Sequence, residues 1–224
     1  MIELAVFDVA GTTVNEGGTV YRVLAETVRA AGGDPSPQQI EQWMGASKRE
    51  AIQALLTAAG ADASDPVVDA AFADFRARLA AAYRAEPPVA FDGVPQAIER
   101  LRSSGVKVAL TTGFDRETTA SLLGSLGWDS TVVDAVVCID DVMAGRPAPF
   151  MVFHAMEATG VRDVRRVLVA GDTVRDVESG RNAGAAVVVA VRTGHVPDTT
   201  LGAAGPTHLL DGVAGIPGLL ASRS

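Results

Sequence analysis

This chain of 224 residues has little cysteine, few aromatics, no surplus of positive charge and no long apolar run. Cys138 is its one cysteine, so no internal disulfide can form and a reducing cytoplasm is the expected setting. Cys138 lies in an apolar run and is expected in the core. Lys and Arg number 19 against 27 Asp and Glu, a net charge of −8 with a pI near 4.9. That balance excludes the basic face that general nucleic-acid binding requires. It leaves room for a small anionic ligand held by a local Arg or Lys and a metal. No apolar stretch reaches the ~20 residues of a membrane span. Glu3 and Asp8 follow Met1 closely, unlike a secretory signal, and no membrane association is expected. No internal repeat is evident. What is plentiful is aliphatic residue: 48% of the chain is hydrophobic, enough to core one or two domains.

The informative stretch is the first. Leu4 to Phe7 is an apolar run stopped by Asp8, with Gly11, Thr12 and Thr13 just beyond. Such a run reads as a buried parallel strand ending in a polar loop. In open α/β sheets ligands sit at the carboxyl ends of strands, where a short carboxylate serves as nucleophile or metal ligand. The Ala-Gly-Thr that follows leaves room for backbone N–H groups to face an anion. Taken alone, the stretch reads equally well as a strand closed by an Asx turn.

Further along, Asn15 to Gly18 reads as a loop. Val20, Val23, Leu24, Thr27, Val28 and Ala31 then recur at helical spacing, and Gly32-Gly33 ends that helix. Ser36-Pro37-Gln38-Gln39 and Ser47-Lys48-Arg49-Glu50 read as two capping boxes. The second opens a helix with Ile52, Leu55 and Leu56 inward. A third helix is expected from Pro66 to Arg84, facing inward with Val68, Phe72, Phe75 and Leu79. No strand pattern interrupts Thr19 to Arg84, and Pro87-Pro88 closes this helical stretch. From Val89 on, strands and helices alternate: strands at Val106–Thr111, within Val132–Ile139, at Val167–Gly171 and at Ala186–Val191, with helices between. Alternation with apolar strands predicts a parallel sheet covered on both faces. The expected fold is α/β: a doubly wound, Rossmann-like core (1–15 and 89–224) with a helical cap (16–88) inserted after the first strand.

Three later stretches bear on Asp8. Thr111-Thr112-Gly113 ends a strand with a hydroxyl and backbone N–H suited to a phosphate oxygen, or to a simple cap. Gly145-Arg146-Pro147-Ala148-Pro149 follows one arginine with two prolines that stiffen the loop, as oxyanion recognition favours. Gly171-Asp172-Thr173-Val174-Arg175-Asp176 ends another apolar run with two acids, Asp176 on the first turn of the next helix. Three carboxylates at neighbouring strand ends repel and call for a cation, and all-oxygen ligation favours Mg²⁺.

These motifs in this order (DxxGT, a Thr-ended strand, a basic residue, GDTxxD) resemble the haloacid dehalogenase superfamily. The resemblance implies that Asp8 attacks phosphorus, and that Asp8, Asp172 and the Ala10 carbonyl hold Mg²⁺ with Asp176 in support. It also implies that Thr112 binds the phosphoryl group and Arg146 offsets its charge. Most phosphatases of the superfamily have a second Asp two residues after the nucleophile, as the acid for an alkoxide leaving group. Here that position is Ala10, which transfers no proton. DxAGTT resembles the phosphonatase branch instead, as do GRPxPxM (Gly145 to Met151), GRNAG (Gly180 to Gly184) and MGxxK (Met44 to Lys48). In that branch the lysine forms a Schiff base with the substrate aldehyde. Breaking a C–P bond requires an electron sink, which a protonated imine supplies. The branch's His three residues after the lysine is Ala51 here, its Cys ten residues after the nucleophile is Gly18, and its Tyr after Thr-Gly is Phe114.

The resemblance thus implies a hydrolase of a small phosphonate or phosphorylated substrate, with Asp8 and Lys48 catalytic. Gly11, Thr12, Thr112, Gly113, Arg146 and Met44 would bind substrate. It implies a homodimer through the cap, with the Val20–Ala31 helix as a candidate surface. Two other readings stand beside it: a phosphomonoesterase or phosphotransferase on a small organic phosphate, and a non-catalytic phosphoryl-binding protein. Of the three histidines, His154, His195 and His208, only His195 falls at a strand's ligand-bearing end.

Overall fold

The computed structural model describes residues 1–222; residues 223 and 224, the end of the expected core segment, lie outside the described residues. Its centre is β1 (Leu4–Asp8), buried along its whole length, as an apolar strand covered on both faces must be. A two-residue strand, β2 (Val14–Asn15), follows. Then come four helices: α1 (Thr19–Ala30), α2 (Pro37–Gln42), α3 (Lys48–Ala58) and α4 (Asp65–Ala85). A second short strand, β3 (Val89–Ala90), pairs antiparallel with β2, Asn15 opposite Val89. Asn15 is thus in a strand rather than the expected loop; its partner is remote in sequence, and a pairing of that kind leaves no local pattern. The chain then runs α5 (Val94–Ser103), β4 (Lys107–Thr111), α6 (Arg116–Ser125), β5 (Ala135–Val137), α7 (Phe150–Thr159), β6 (Val167–Gly171), α8 (Val174–Ala183) and β7 (Val187–Val191). It closes with α9 (Asp198–Ala203), β8 (His208–Leu210) and α10 (Ile216–Ala221).

The main sheet has six strands in the order β5-β4-β1-β6-β7-β8, every pair parallel. This is the doubly wound core with a helical segment inserted after the first strand. Strand order reverses at β1, between β4 and β6, and in such sheets the crevice at that reversal takes the ligand. Asp8 stands opposite Thr111 in the register, and Phe7 opposite Ala170.

Local sequence explains most of the insert. Ser36 and Gln39 exchange bonds in a full capping box, Gln39 N–H to Ser36 Oγ at 3.2 Å and Ser36 N–H to Gln39 Oε1 at 2.8 Å. Ser47 caps α3 singly: its hydroxyl accepts the Glu50 N–H at 3.5 Å, while the Glu50 side chain stays in water and returns no bond. In α4 Val68, Phe75 and Leu79 are buried as the spacing predicts, with Phe72 half-buried and stacked on Phe75. The apolar face of α1 (Val20, Val23, Leu24, Thr27, Val28) is buried within the chain, leaving Arg22, Glu26 and Arg29 toward its outer side. Cys138 is free and buried. No described helix is long and apolar enough to cross a membrane.

Candidate active site

The carboxyl ends of β1, β4 and β6 bring together what the sequence scattered. Asp8 ends β1, Thr111 ends β4, and Asp172 follows β6. The capping box of α8, in which the Thr173 N–H and hydroxyl donate to Asp176 Oδ2 at 3.0 and 2.5 Å, turns Asp176 back toward them. Asp8, Asp172 and Asp176 are buried, and one oxygen of each lies within 4.8 Å of the others.

Three carboxylates this close and dry cannot all ionise without cations. Arg146, itself buried, supplies one. Its Nη2 lies 2.7 Å from Asp8 Oδ1 and its Nη1 2.6 Å from Asp176 Oδ1; Nη2 also donates to Thr111 Oγ1 at 3.2 Å. Burial works against the guanidinium charge, but Asp176 and Asp8 outweigh it and hold the Arg146 pKa above its ordinary value. One guanidinium is not enough for three acids. Burial pushes Asp8 from 3.8 up to about 6 against the pull of Arg146, with Asp176 adding to the rise. Asp172 is pushed well above its ordinary value by burial and by Asp8 and Asp176, opposed by the Thr12 hydroxyl that donates to its Oδ1 at 2.8 Å. An all-oxygen cluster with uncompensated negative charge fits a hard divalent cation, and the site can hold one.

Two glycines let the chain close around Asp172. A Cβ at Gly11, whose φ is +90°, would stand 2.5 Å from Asp172 Oδ2, and one at Gly194 would stand 2.0 Å away. The Thr193 hydroxyl ties the two loops together by donating to the Gly11 carbonyl at 2.6 Å. The turn after β1 differs from expectation in one respect. The N–H groups of Gly11 and Thr12 donate to the Val14 and Val9 carbonyls at 2.9 and 3.3 Å rather than facing outward, because the tight return through the Ala10–Val14 bridge consumes them. Thr112 is buried, its N–H bonded to Val137 O and its hydroxyl accepting the Phe114 N–H at 3.1 Å.

The insert sits down on this cluster. A Cβ at Gly113 would lie 2.5 Å from the Ala46 carbonyl, and one at Gly45 2.5 Å from Thr173 Oγ1. The loop 44–47 therefore rests on two core loops through glycine-only gaps. Arg175 fastens it: its guanidinium donates to the Gln42 carbonyl at 3.3 Å and the Arg146 carbonyl at 3.2 Å, and lies 5.1 Å from the Trp43 ring centre. Met44 is half-buried and lines a cleft of about 450 Å³ with Gln38, Thr173 and Arg175. Lys48 ends up 5% exposed. Its Nζ donates to the Ala46 carbonyl at 2.8 Å and lies 5.6 Å from the ring centres of both Tyr21 and Phe114. Burial lowers its pKa from 10.5 to about 8, and Asp8 is the charge that most strongly resists the fall. Ala51, one turn further along α3, is fully buried and brings no proton-carrying group.

The chain has only two lysines, Lys48 and the exposed Lys107, which makes closure easy to read. Reductive methylation of wild type is expected to modify Lys107 quickly and Lys48 slowly. Gly113→Ala puts a methyl against the Ala46 carbonyl and should raise Lys48 labelling several-fold with the circular dichroism unchanged. Equal protection of Lys48 in both proteins would refute the wedge.

Sequence reasoning misses Tyr21, Arg175, Thr193 and Gly194. Arg175 is inside the GDTVRD motif and carries no mark of its own. The others acquire their place only through folding. His195, at a strand's ligand-bearing end, has its Nε2 3.2 Å from where a Cβ on Gly18 would lie, so glycine there leaves the space that the imidazole occupies.

A family model described as haloacid dehalogenase-like hydrolase matches residues 2–184. The chain belongs to that family. This haloacid dehalogenase-like hydrolase is 30% identical over 196 residues to a protein named phosphonoacetaldehyde hydrolase from Bacillus cereus, across 82% of this chain and 73% of that one. Two solved structures share its fold: a hydrolase from Pseudomonas syringae (TM-score 0.88, 20% identity, 99% of both chains) and a protein described as phosphonoacetaldehyde hydrolase-like from Oleispira antarctica (TM-score 0.84, 20% identity, 99% of this chain and 92% of that one).

Proposed function

We propose that this hydrolase cleaves the C–P bond of phosphonoacetaldehyde or a closely related carbonyl phosphonate, with Asp8 as nucleophile, Lys48 as imine-forming amine and Mg²⁺ as cofactor. What carries the reading is the Lys48 amine, buried beside the carboxylate cluster and shifted toward its neutral, nucleophilic form. Ala10 supports it, since a residue without an acid suits a reaction whose leaving group is not an alkoxide; this disfavours the phosphomonoesterase reading. The name of the Bacillus cereus relative agrees.

Asp8, Asp172 and the Ala10 carbonyl would hold Mg²⁺ with Asp176 supporting, and the ion would offset the charge of a bound phosphonate. Arg146, Thr112 and Gly113 are assigned to the phosphonate end and Met44 to the insert's side of the pocket; Gly11 and Thr12, whose N–H groups are bonded within the turn, would act there only by shaping it and by holding Asp172. Neutral Lys48 adds to the carbonyl, and loss of water with uptake of one proton from solvent leaves a protonated imine. Asp8 then attacks phosphorus, the C–P electron pair flows to the imine nitrogen, and the carbon fragment leaves as an enamine on Lys48. Water hydrolyses the aspartyl-phosphate to phosphate, and tautomerisation with hydrolysis frees the aldehyde and the lysine. With the insert seated the acids and the amine are dry, so residues 16–88 act as a cap that opens to admit substrate and closes to exclude water from the imine. A homodimer through this cap would have to use the charged outer side of α1, because the apolar side is already buried.

The test is incubation with phosphonoacetaldehyde, Mg²⁺ and borohydride. The expected result is phosphate release without borohydride and, with it, a stable adduct on the peptide carrying Lys48, with Lys107 as the internal control. No phosphate and no adduct would overturn the reading.

A further inference from the structure

Imine formation moves a proton as well as a bond. An ammonium and an aldehyde give a protonated imine and water only if two protons pass from the lysine nitrogen to the oxygen that leaves, one as the carbinolamine forms and one as its hydroxyl is expelled. Among the described contacts of Lys48 Nζ are a carbonyl (Ala46), an arene (Phe114) and Tyr21. The first two carry no transferable proton. Of the ionisable groups whose charge reaches the amine, Arg146 and Arg175 are guanidiniums, which give up no proton, and Asp8 is committed to phosphorus. Glu16 has both carboxylate oxygens occupied, by the Gly18 N–H at 3.2 Å and the Val20 N–H at 2.8 Å. Tyr21 is different. It stands in the first turn of α1, its hydroxyl oxygen accepts the Gly45 N–H at 3.4 Å, and it donates to no protein acceptor among the described hydrogen bonds. Gly45 and Tyr21 both lie in the insert, so this bond is made within it, and the Gly45 loop that holds the hydroxyl is the one that rests on Thr173.

We propose, on the imine reading above, that Tyr21 is a catalytic residue that relays the proton in imine formation and hydrolysis. Its hydroxyl accepts a proton from the nitrogen of the N-protonated Lys48 carbinolamine while passing its own to the adduct's hydroxyl, which leaves as water and leaves the imine protonated. The C–O bond breaks, the C=N bond forms, and Tyr21 ends as it began. The same relay run backward hydrolyses the imine. Burial and the nearby charges of Asp172 and Asp8 hold the Tyr21 pKa well above its ordinary value, which suits a hydroxyl that relays without ever standing as a tyrosinate.

Tyr21→Phe keeps the ring over Lys48 and removes only the hydroxyl. The rate of borohydride trapping at Lys48, measured at saturating phosphonoacetaldehyde with Mg²⁺, should fall at least tenfold. KM should change by less than threefold, and Lys48 should stay as protected from methylation as in wild type. Tyr21→His tests chemistry against packing. An imidazole also relays protons, so trapping should recover in part and acquire a pH dependence near its ordinary pKa of about 6.5. Wild-type trapping rates in Tyr21→Phe would overturn the proposal and leave the imine reading standing. So would a Tyr21→His protein that is closed over Lys48 yet as slow as Tyr21→Phe. If wild type itself gave no adduct, both would fall together.

Discussion

Asp172→Asn is expected to melt at a higher temperature than wild type in EDTA, and to lose the rise in Tm that Mg²⁺ gives wild type. The cause is the repulsion among three buried acids sharing one guanidinium. Asp8 and Asp172 both have raised pKa values in the folded protein. Through the window from the ordinary carboxylate value to the folded one, the native state holds more protons than the unfolded chain. The stability these groups contribute is therefore complete below pH ~4 and is lost as pH rises. For Asp8 the loss runs from pH ~4 to about 6 and amounts to ~3 kcal/mol. Metal-free wild type should accordingly weaken between pH 4 and 7. An Asn at 172 still accepts the Thr12 hydroxyl and offers its amide to neighbouring carboxylates within 4.8 Å, so it removes repulsion and keeps the fit. Divalent cation at about a hundred times its Kd would add ~2.7 kcal/mol to wild type, or ~5–10 °C in a chain of this size. Phosphate release should drop by a factor on the order of 10³ with the loss of that charge compensation. Thermal melts with and without Mg²⁺ at pH 5 and 7 decide it; a variant less stable than wild type in EDTA, or still stabilised by Mg²⁺, would count against the cation site.

The core of this site was legible because its residues sit where short-range pattern and topology coincide. An apolar run ending in Asp8, another ending in Gly171-Asp172 and a strand ending in Thr111 are each local signals, and a parallel sheet brings strand ends together whatever lies between them. Asp176 could be placed because a helix starting near Thr173 puts it on the first turn, and the structure holds it there by a capping box with Thr173. Lys48 was legible as a motif residue, but its burial was not. A lysine in the first turn of a helix is ordinarily solvated, and only the seating of loop 44–47 on Gly113 and Thr173 takes it out of water. Tyr21, Arg175, Thr193 and the β2–β3 pairing all depend on contacts between segments remote in sequence, which carry no periodicity to read. The backbone N–H groups of Gly11 and Thr12 show the opposite limit: glycine and threonine after a strand permit an anion nest, but the same residues also permit the tight return to Val14 that they actually make.

Lys48→Met should abolish C–P cleavage and at the same time stabilise the protein. With its pKa at about 8, about a tenth of Lys48 is neutral at pH 7, against ~0.03% for a lysine at its ordinary value. Burial thus raises the reactive fraction by a factor of ~300, and wild-type turnover should climb with pH, reach half its rise at about pH 8 and level off roughly one unit above. A cation bound among the carboxylates would offset Asp8, which resists the shift, and so move the rise to lower pH. That reactivity has a structural cost. The native state holds fewer protons than the unfolded chain between about pH 8 and 10.5, so stability rises with pH through that window. Below it, the buried ammonium costs ~3 kcal/mol. Methionine has nearly the same length, no charge to desolvate, and gives up one hydrogen bond to the Ala46 carbonyl, worth ~1 kcal/mol. The net gain at pH 7 should be ~2 kcal/mol by denaturant unfolding, and it should shrink between about pH 8 and 10.5, where wild type gains stability. Stability and turnover would then move in opposite directions through a single side chain. A Lys48→Met protein that is weaker than wild type at pH 7, or one that still releases phosphate from phosphonoacetaldehyde, would show that this amine is an ordinary structural lysine.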